Sequence, residues 1–260
     1  MNIEIGLILL ILFFLLVLMN IPIAVSLGLS TIITMILYGI PLGMYLDTIN
    51  AGLSKYTLLA VPFFILAGFI MEKSGISKRI IAFARLLTGP VPGGLGIISI
   101  VVTLFWGAIS GSGPATVAAL GSILIPAMIE DGYDKGFAAA LIAASSAVAV
   151  VIPPSINLVV YGVISGDSIG TLFISGIIPG ILMGICFIVY AFIYSMRHGY
   201  RGERFGTVKE VLHGFREAIW GLFSPIIILG GIYGGIFTPT EAAVVAVIYS
   251  LLIGLFVYKE

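Results

Sequence analysis

Ser110, Ser112 and Thr116 fall within the run Ser110-Gly111-Ser112-Gly113-Pro114-Ala115-Thr116, and Ser145-Ser146 is followed closely by Ile152-Pro153-Pro154-Ser155. Hydroxyls interleaved with Gly and Pro suit hard-cation chemistry. Gly111 and Gly113 permit backbone angles closed to other residues, and Pro114 suits the first turn of a helix, where its missing N–H is harmless. The first run therefore ends one helix and begins another, leaving carbonyls on one side and amides on the other. The amide end, at residues 114–116, carries partial positive charge suited to a carboxylate. The carbonyls around Ser110 and the hydroxyls of Ser110, Ser112 and Thr116 suit a hard cation. In the second run Pro153 and Pro154 remove two donors, which frees carbonyls near Ala149 and Val150 beside Ser145, Ser146 and Ser155. Neither apolar stretch carries an Asp, Glu, Lys or Arg near its break, which favours sodium over a proton relay. The competing reading is a pair of Gly/Pro kinks packed against neighbouring helices.

The elements that must hold these breaks are membrane helices. With 60% hydrophobic and 9% charged residues and a mean hydropathy of +1.23, the chain has lipid as its main solvent. Apolar segments run over about 3–19, 21–40, 57–71, 94–108, 115–129, 136–164, 171–196, 217–236 and 240–258. A spanning helix needs ~20 mostly apolar residues. The segments 94–108 and 115–129 are short for single crossings and together suit a re-entrant hairpin, with two tilted spans as the alternative. The expected fold is an all-α polytopic membrane protein with one re-entrant helical hairpin and one broken transmembrane helix. Its expected parts are 1–93, holding the first helices and a basic loop; 94–170, holding hairpin and broken helix; and 171–260, holding further spans and an amphipathic segment. At a break inside lipid, unpaired backbone groups cost several kcal/mol unless they line a cavity or meet a ligand.

Charge sets an orientation. Lys73, Lys78, Arg79 and Arg85 form one basic loop, Arg197, Arg201, Arg204, Lys209 and Arg216 a second, and Lys135 and Lys259 add two positives at segment ends. Placing the N-terminus outside puts eleven of the twelve Lys and Arg residues in the cytoplasm, with Lys55 left over and the C-terminus inside. The hairpin and the two-span alternative give the same parity. The first apolar segment lacks a basic n-region and a small-residue cleavage pattern, so it reads as a retained span.

Other features point to structure. Val208, Leu212, Phe215 and Ile219 form a helical apolar stripe within 203–219, expected as a short helix on the cytoplasmic membrane surface. Thr240 is expected to cap a helix with Glu241 in its first turn. Trp106 and Trp220 suit interfacial anchoring or packing, and His198 and His213 suit a charged surface loop. Cys186 excludes an intrachain disulfide because it is the chain's single cysteine. Zero net charge, with basic residues confined to loops, excludes a nucleic-acid footprint. Membrane depth offers no His pair, Cys-His pair or carboxylate pair, and isolated serines without a base are poor nucleophiles, so an enzyme is not expected.

Four motifs in order carry a family resemblance: Val61-Pro62-Phe63-Phe64-Ile65-Leu66-Ala67-Gly68, the Ser110 run continued to Gly121, Ile152-Pro153-Pro154-Ser155-Ile156, and Gly234-Gly235-Ile236-Phe237-Thr238-Pro239-Thr240-Glu241-Ala242-Ala243. Over essentially its whole length the chain resembles the large membrane subunit of tripartite ATP-independent periplasmic (TRAP) transporters. The resemblance implies an elevator-type secondary transporter of the cytoplasmic (inner) membrane, driven by sodium. It would import organic acids, such as C4-dicarboxylates or sialic-acid-like carboxylates, delivered by an extracytoplasmic binding protein. A small four-helix membrane subunit is the implied partner. Carried over residue by residue, the resemblance assigns sodium to Ser110 and Ser112 with the carbonyls of Ala147, Val150 and Pro153, and the substrate side to Thr116 and Ser155. Ala147 and Ala149 depart from the Thr and Gly usual at those places.

Family members carry a second, inverted half with its own hairpin. This chain is expected to be one elevator-type half, starting outside and ending inside as an inverted repeat requires, with the second repeat absent or separately encoded. The charge bias disfavours self-pairing in opposite orientations. Two further readings stand beside the main one: an elevator-type ion or solute transporter without a binding protein, and a nontransporting structural or assembly subunit.

Overall fold

The computed structural model describes residues 3–88, 91–200 and 206–259. The chain divides into two compact units, Met1–Lys55 and Tyr56–Glu260. In the first, α1 (Ile3–Leu18) packs on α2 (Ile23–Leu37), and α3 (Gly43–Leu53) follows. Between α1 and α2 the chain turns at Asn20, whose φ of 65° is the left-handed conformation Asn tolerates. Residues 41–56, which lie between the apolar segments 21–40 and 57–71, fold largely as α3.

The second unit starts with a 3-10 turn, Tyr56–Leu59, leading into α4 (Ala60–Lys73). Pro62 falls in the first turn of α4, where it costs no hydrogen bond. Next come α5 (Ile76–Thr88), α6 (Gly94–Ser110), α7 (Gly113–Glu130), α8 (Lys135–Ala147), α9 (Ile156–Ser165), α10 (Ile169–His198), α11 (Val208–Tyr233) and α12 (Pro239–Leu252), which continues in wider turns to Tyr258. Five stretches are long and apolar enough to cross a membrane: Tyr56–Lys73, Gly113–Glu130, Ile169–His198, Val208–Tyr233 and Pro239–Tyr258. The chain is an all-helical, multi-pass membrane protein among its described residues.

Three readings change in detail. The basic loop after α4 is itself helical: α5 is amphipathic and lays Ile76 and Ile80 against Gly221 of α11, where a Cβ would stand 2.6 Å from Ile76 Cγ2. The amphipathic segment expected over 203–219 is not a separate surface helix, because Thr207 and Glu210 form a reciprocal capping box and the helix runs unbroken from Val208 to Tyr233. Residues 201–205 lie outside the described residues. At α12 the cap is Thr238 and not Thr240: Pro239 takes the first helical position, which places Glu241 at the third, within reach of the Thr238 N–H.

Lipid is as apolar as a leucine side chain, so helices associate here through close packing. Buried Ala67 on α4 and Ala242, Ala243 and Ala246 on α12 belong to one cluster with Phe64, Val159 and Phe173. Trp106, only 2% exposed, joins Ile98, Val102, Leu120, Leu124 and Ile142 in another, so its role is packing between α6, α7 and α8. Tyr200 fastens the end of this group away from the breaks. Its carbonyl accepts from Gly93 N–H at 3.2 Å and its phenol oxygen from Asp134 N–H at 3.0 Å. Phe137 stacks on Tyr194 nearby with ring centroids 3.9 Å apart.

Candidate functional site

The helix α6 ends where Gly111 adopts φ 61°, its N–H closing on the Gly107 carbonyl at 2.8 Å. Ser112 is extended and caps α7, its hydroxyl accepting from Ala115 N–H at 3.5 Å, and Pro114 sits in the first turn. The hydroxyls of this tip form one small network. Thr116 Oγ1 donates to the Ser112 carbonyl at 2.8 Å and lies 2.9 Å from Ser110 Oγ. Ser112 N–H reaches Ser110 Oγ at 3.4 Å. If Ser110 donates to Thr116, its oxygen accepts from that amide and keeps one lone pair for a cation. The amides at residues 115 and 116 are already taken, the latter by the Ser112 carbonyl at 3.0 Å. The carboxylate-binding helix start expected at 114–116 is therefore largely satisfied by its own cap.

The second break interrupts the expected 136–164 helix. After α8 a short 3-10 turn, Val148–Val150, gives way to irregular chain before α9. Both Val151 N–H and Ile152 N–H donate to the Val148 carbonyl at 2.9 Å. Ser155 caps α9, accepting from Leu158 N–H at 3.4 Å and donating to the Val150 carbonyl at 2.6 Å. Val150 is thus not wholly freed, since one lone pair serves that hydroxyl.

The fold brings the two breaks together. Ile156 N–H, a first-turn amide of α9 with no intrahelical partner, donates to the Gly111 carbonyl at 3.2 Å. Glycines make this approach possible. A Cβ on Gly111 would lie 2.9 Å from the Pro154 carbonyl oxygen, one on Gly113 3.0 Å from the Ser146 carbonyl oxygen, and one on Gly107 2.5 Å from Ala149 Cβ. Ser110 and Ser112 consequently belong to the same junction as the segment holding Ala147, Val150 and Pro153. Within it Ala147 is exposed, Val150 half-buried and Pro153 buried.

Thr116 and Ser155 are both fully buried, their hydroxyls engaged as described. The accessible wall is built by other groups. A cavity of about 250 Å³ opens between Gly68, Phe69 and Glu72 of α4, Trp106 and Ser110 of α6, and Ser112 at the tip. Gly68 permits the contact, because a Cβ there would stand 3.3 Å from Ser110 Cα. Glu72, in the last turn of α4 and outside every sequence motif, brings a carboxylate to that wall. The second notable group is Ser146, expected among the oxygens of the second break. It is fully buried, and its Oγ has no hydrogen-bond partner among the described residues, whereas Ser145 Oγ donates to the Leu141 carbonyl at 2.7 Å. The pair is legible in the sequence; which of its two hydroxyls bonds its own helix is not.

Comparison with known proteins agrees with this architecture. Over 250 residues the chain is 46% identical to an isethionate TRAP transporter permease protein of Oleidesulfovibrio alaskensis, covering 95% of this chain and 39% of that protein. It is 46% identical to the C4-dicarboxylate TRAP transporter large permease protein of Vibrio cholerae, covering 93% of this chain and 54% of that one. It is 40% identical to the sialic acid TRAP transporter permease protein of Haemophilus influenzae, covering 80% and 34%. The chain thus spans between about a third and just over half the length of these curated relatives. They are permeases, not enzymes. Residues 10–260 match the tripartite ATP-independent periplasmic transporter DctM component, and the chain belongs to that family.

Proposed function

We propose that the chain forms one cation-binding half of a sodium-coupled secondary transporter in the cytoplasmic membrane, with its N-terminus outside and its C-terminus in the cytoplasm. The observation that carries the reading is the junction of two helix breaks through Gly111 and Ile156, beside a buried Ser146 hydroxyl without a partner. Unsatisfied groups of that kind in lipid call for a ligand. Sodium is held by Ser110 and Ser112 with the carbonyls of Ala147, Val150 and Pro153, and the Ser146 hydroxyl is a further oxygen of the same site. The α6–α7 pair acts as a re-entrant hairpin within an elevator-type moving body.

The imported substrate is an organic acid, a class supported by the isethionate, C4-dicarboxylate and sialic acid named for the relatives. An extracytoplasmic binding protein delivers it, and a small four-helix membrane subunit completes the assembly. Thr116 and Ser155 shape the substrate side indirectly, by fixing the tip and the start of α9. The remaining wall comes from a second, inverted half. The test is thermal stability of the purified chain in detergent, with sodium exchanged for potassium at constant ionic strength. A saturating, sodium-specific rise is expected. No rise with this chain, nor with a co-expressed second half, would reduce the breaks to packing kinks in a nontransporting subunit.

A further inference from the structure

The longest helix, α10, carries buried glycines at 176, 180 and 184. At the first two a side chain would collide with the second break, and at the third with the middle of α6. A Cβ on Gly176 would run into the Val151 carbonyl oxygen, and one on Gly180 into Ile152 Cγ1. One on Gly184 would stand 2.5 Å from Leu104 Cδ1 of α6. The irregular chain of the second break is therefore seated on bare backbone of α10. Its own bonds are internal, with Val148 accepting from residues 151 and 152 and Ser155 holding Val150. Nothing in that pattern fixes where the loop as a whole sits. Its seats on two helices do, on α10 at Gly176 and Gly180 and on α6 at Gly107, which meets Ala149, and Gly111 then ties the hairpin tip to the same loop through Ile156.

We propose that Gly176 and Gly180 are positioning residues for the cation site: they set the depth of the Val151–Ile152 loop and hence the spacing of its carbonyls from Ser110 and Ser112. This rests on the sodium reading above. The two contacts differ in kind. The obstacle at 176 is a backbone oxygen, which no side-chain trimming removes. The obstacle at 180 is a side chain, which Ile152→Ala removes. Gly170, on the same helix, is the control, since a Cβ there would make ordinary contacts, with Ile232 Cγ2 at 3.7 Å and Ser168 Oγ at 3.8 Å.

The experiment measures the sodium concentration giving half of the sodium-specific stabilisation, for the purified full chain in detergent at constant ionic strength. Gly170→Ala should match wild type. Gly180→Ala should need about tenfold more sodium, the scale found when groups supporting metal ligands are disturbed. Gly180→Ala with Ile152→Ala should return most of the way. Gly176→Ala should lose sodium response with no rescue from Ile152→Ala. A Gly180→Ala protein with wild-type sodium dependence, or one whose defect Ile152→Ala leaves unchanged, overturns the positioning role while the sodium reading stands. Absence of any sodium response in wild type, both alone and with a co-expressed second half, overturns both. Should Gly176→Ala fail to fold, the Gly180 and Ile152 pair decides alone.

Discussion

Ile156 donates its main-chain N–H to the carbonyl of Gly111 at 3.2 Å, joining the first turn of α9 to the tip between α6 and α7. One hydrogen bond thus satisfies a helix-start amide and a helix-end carbonyl that lipid would leave bare. Both are main-chain groups, so the bond depends on the absence of a side chain at residue 111. Gly111 has a left-handed φ of 61°, and a Cβ would also press on Pro154.

Gly111→Ala should therefore destabilise the chain by at least ~1–2 kcal/mol from the left-handed conformation alone, before the collision with Pro154 is counted. Thermal unfolding in potassium buffer checks this. A melting temperature equal to wild type would show that the tip does not rest on the break.

Ser146→Ala separates a ligand from a mere defect. A buried hydroxyl without a partner costs about 1–3 kcal/mol. Removing it should leave stability in sodium-free buffer unchanged or higher, and should weaken the stabilisation that sodium brings. Loss of stability in sodium-free buffer would mean that the hydroxyl is already satisfied by the protein.

Thr116→Val removes the hydroxyl that joins Ser110 to the Ser112 carbonyl, which keeps its bond from the residue-116 N–H, so the expected cost is that of a net hydrogen bond, about 1 kcal/mol. Thr116→Ser should retain most of the stability because it keeps the oxygen. Equal melting temperatures for the Val and Ser variants would contradict the network.

Thr238→Ala should cost about 1 kcal/mol through loss of the α12 cap while leaving sodium dependence untouched. This variant calibrates the others, since its effect is purely on folding. A changed sodium midpoint would tie α12 to the cation site.

The breaks themselves were readable because Gly and Pro act through the backbone: residues 110–114 and 153–154 mark helix ends wherever they occur. The stretches around them were readable from hydropathy. What the sequence hid was relational. That Gly107 meets Ala149, that Gly68 meets Ser110, or that Gly176 meets Val151 depends on which helices become neighbours, and a glycine looks the same whether it faces lipid or another backbone. The α5 helix escaped because charge led its residues to be read as a loop, although Ile76, Ile80 and Ile81 recur at helical spacing. Thr238 and Thr240 both offer a capping hydroxyl, and Pro239, which suits a first helical position, is what makes Thr238 the cap. Thr116 and Ser155 carry the hydroxyls expected of a substrate wall, yet both point those oxygens at their own backbone.

Equilibrium binding of radioactive sodium to the purified, folded chain tests the central claim most directly. The account predicts saturable binding that unlabelled sodium displaces and potassium does not, strongly weakened by Ser110→Ala combined with Ser112→Ala. Saturable binding that survives the double substitution unchanged would remove the cation from the tip, and a folded chain that binds none, either alone or with a co-expressed second half, would contradict the account.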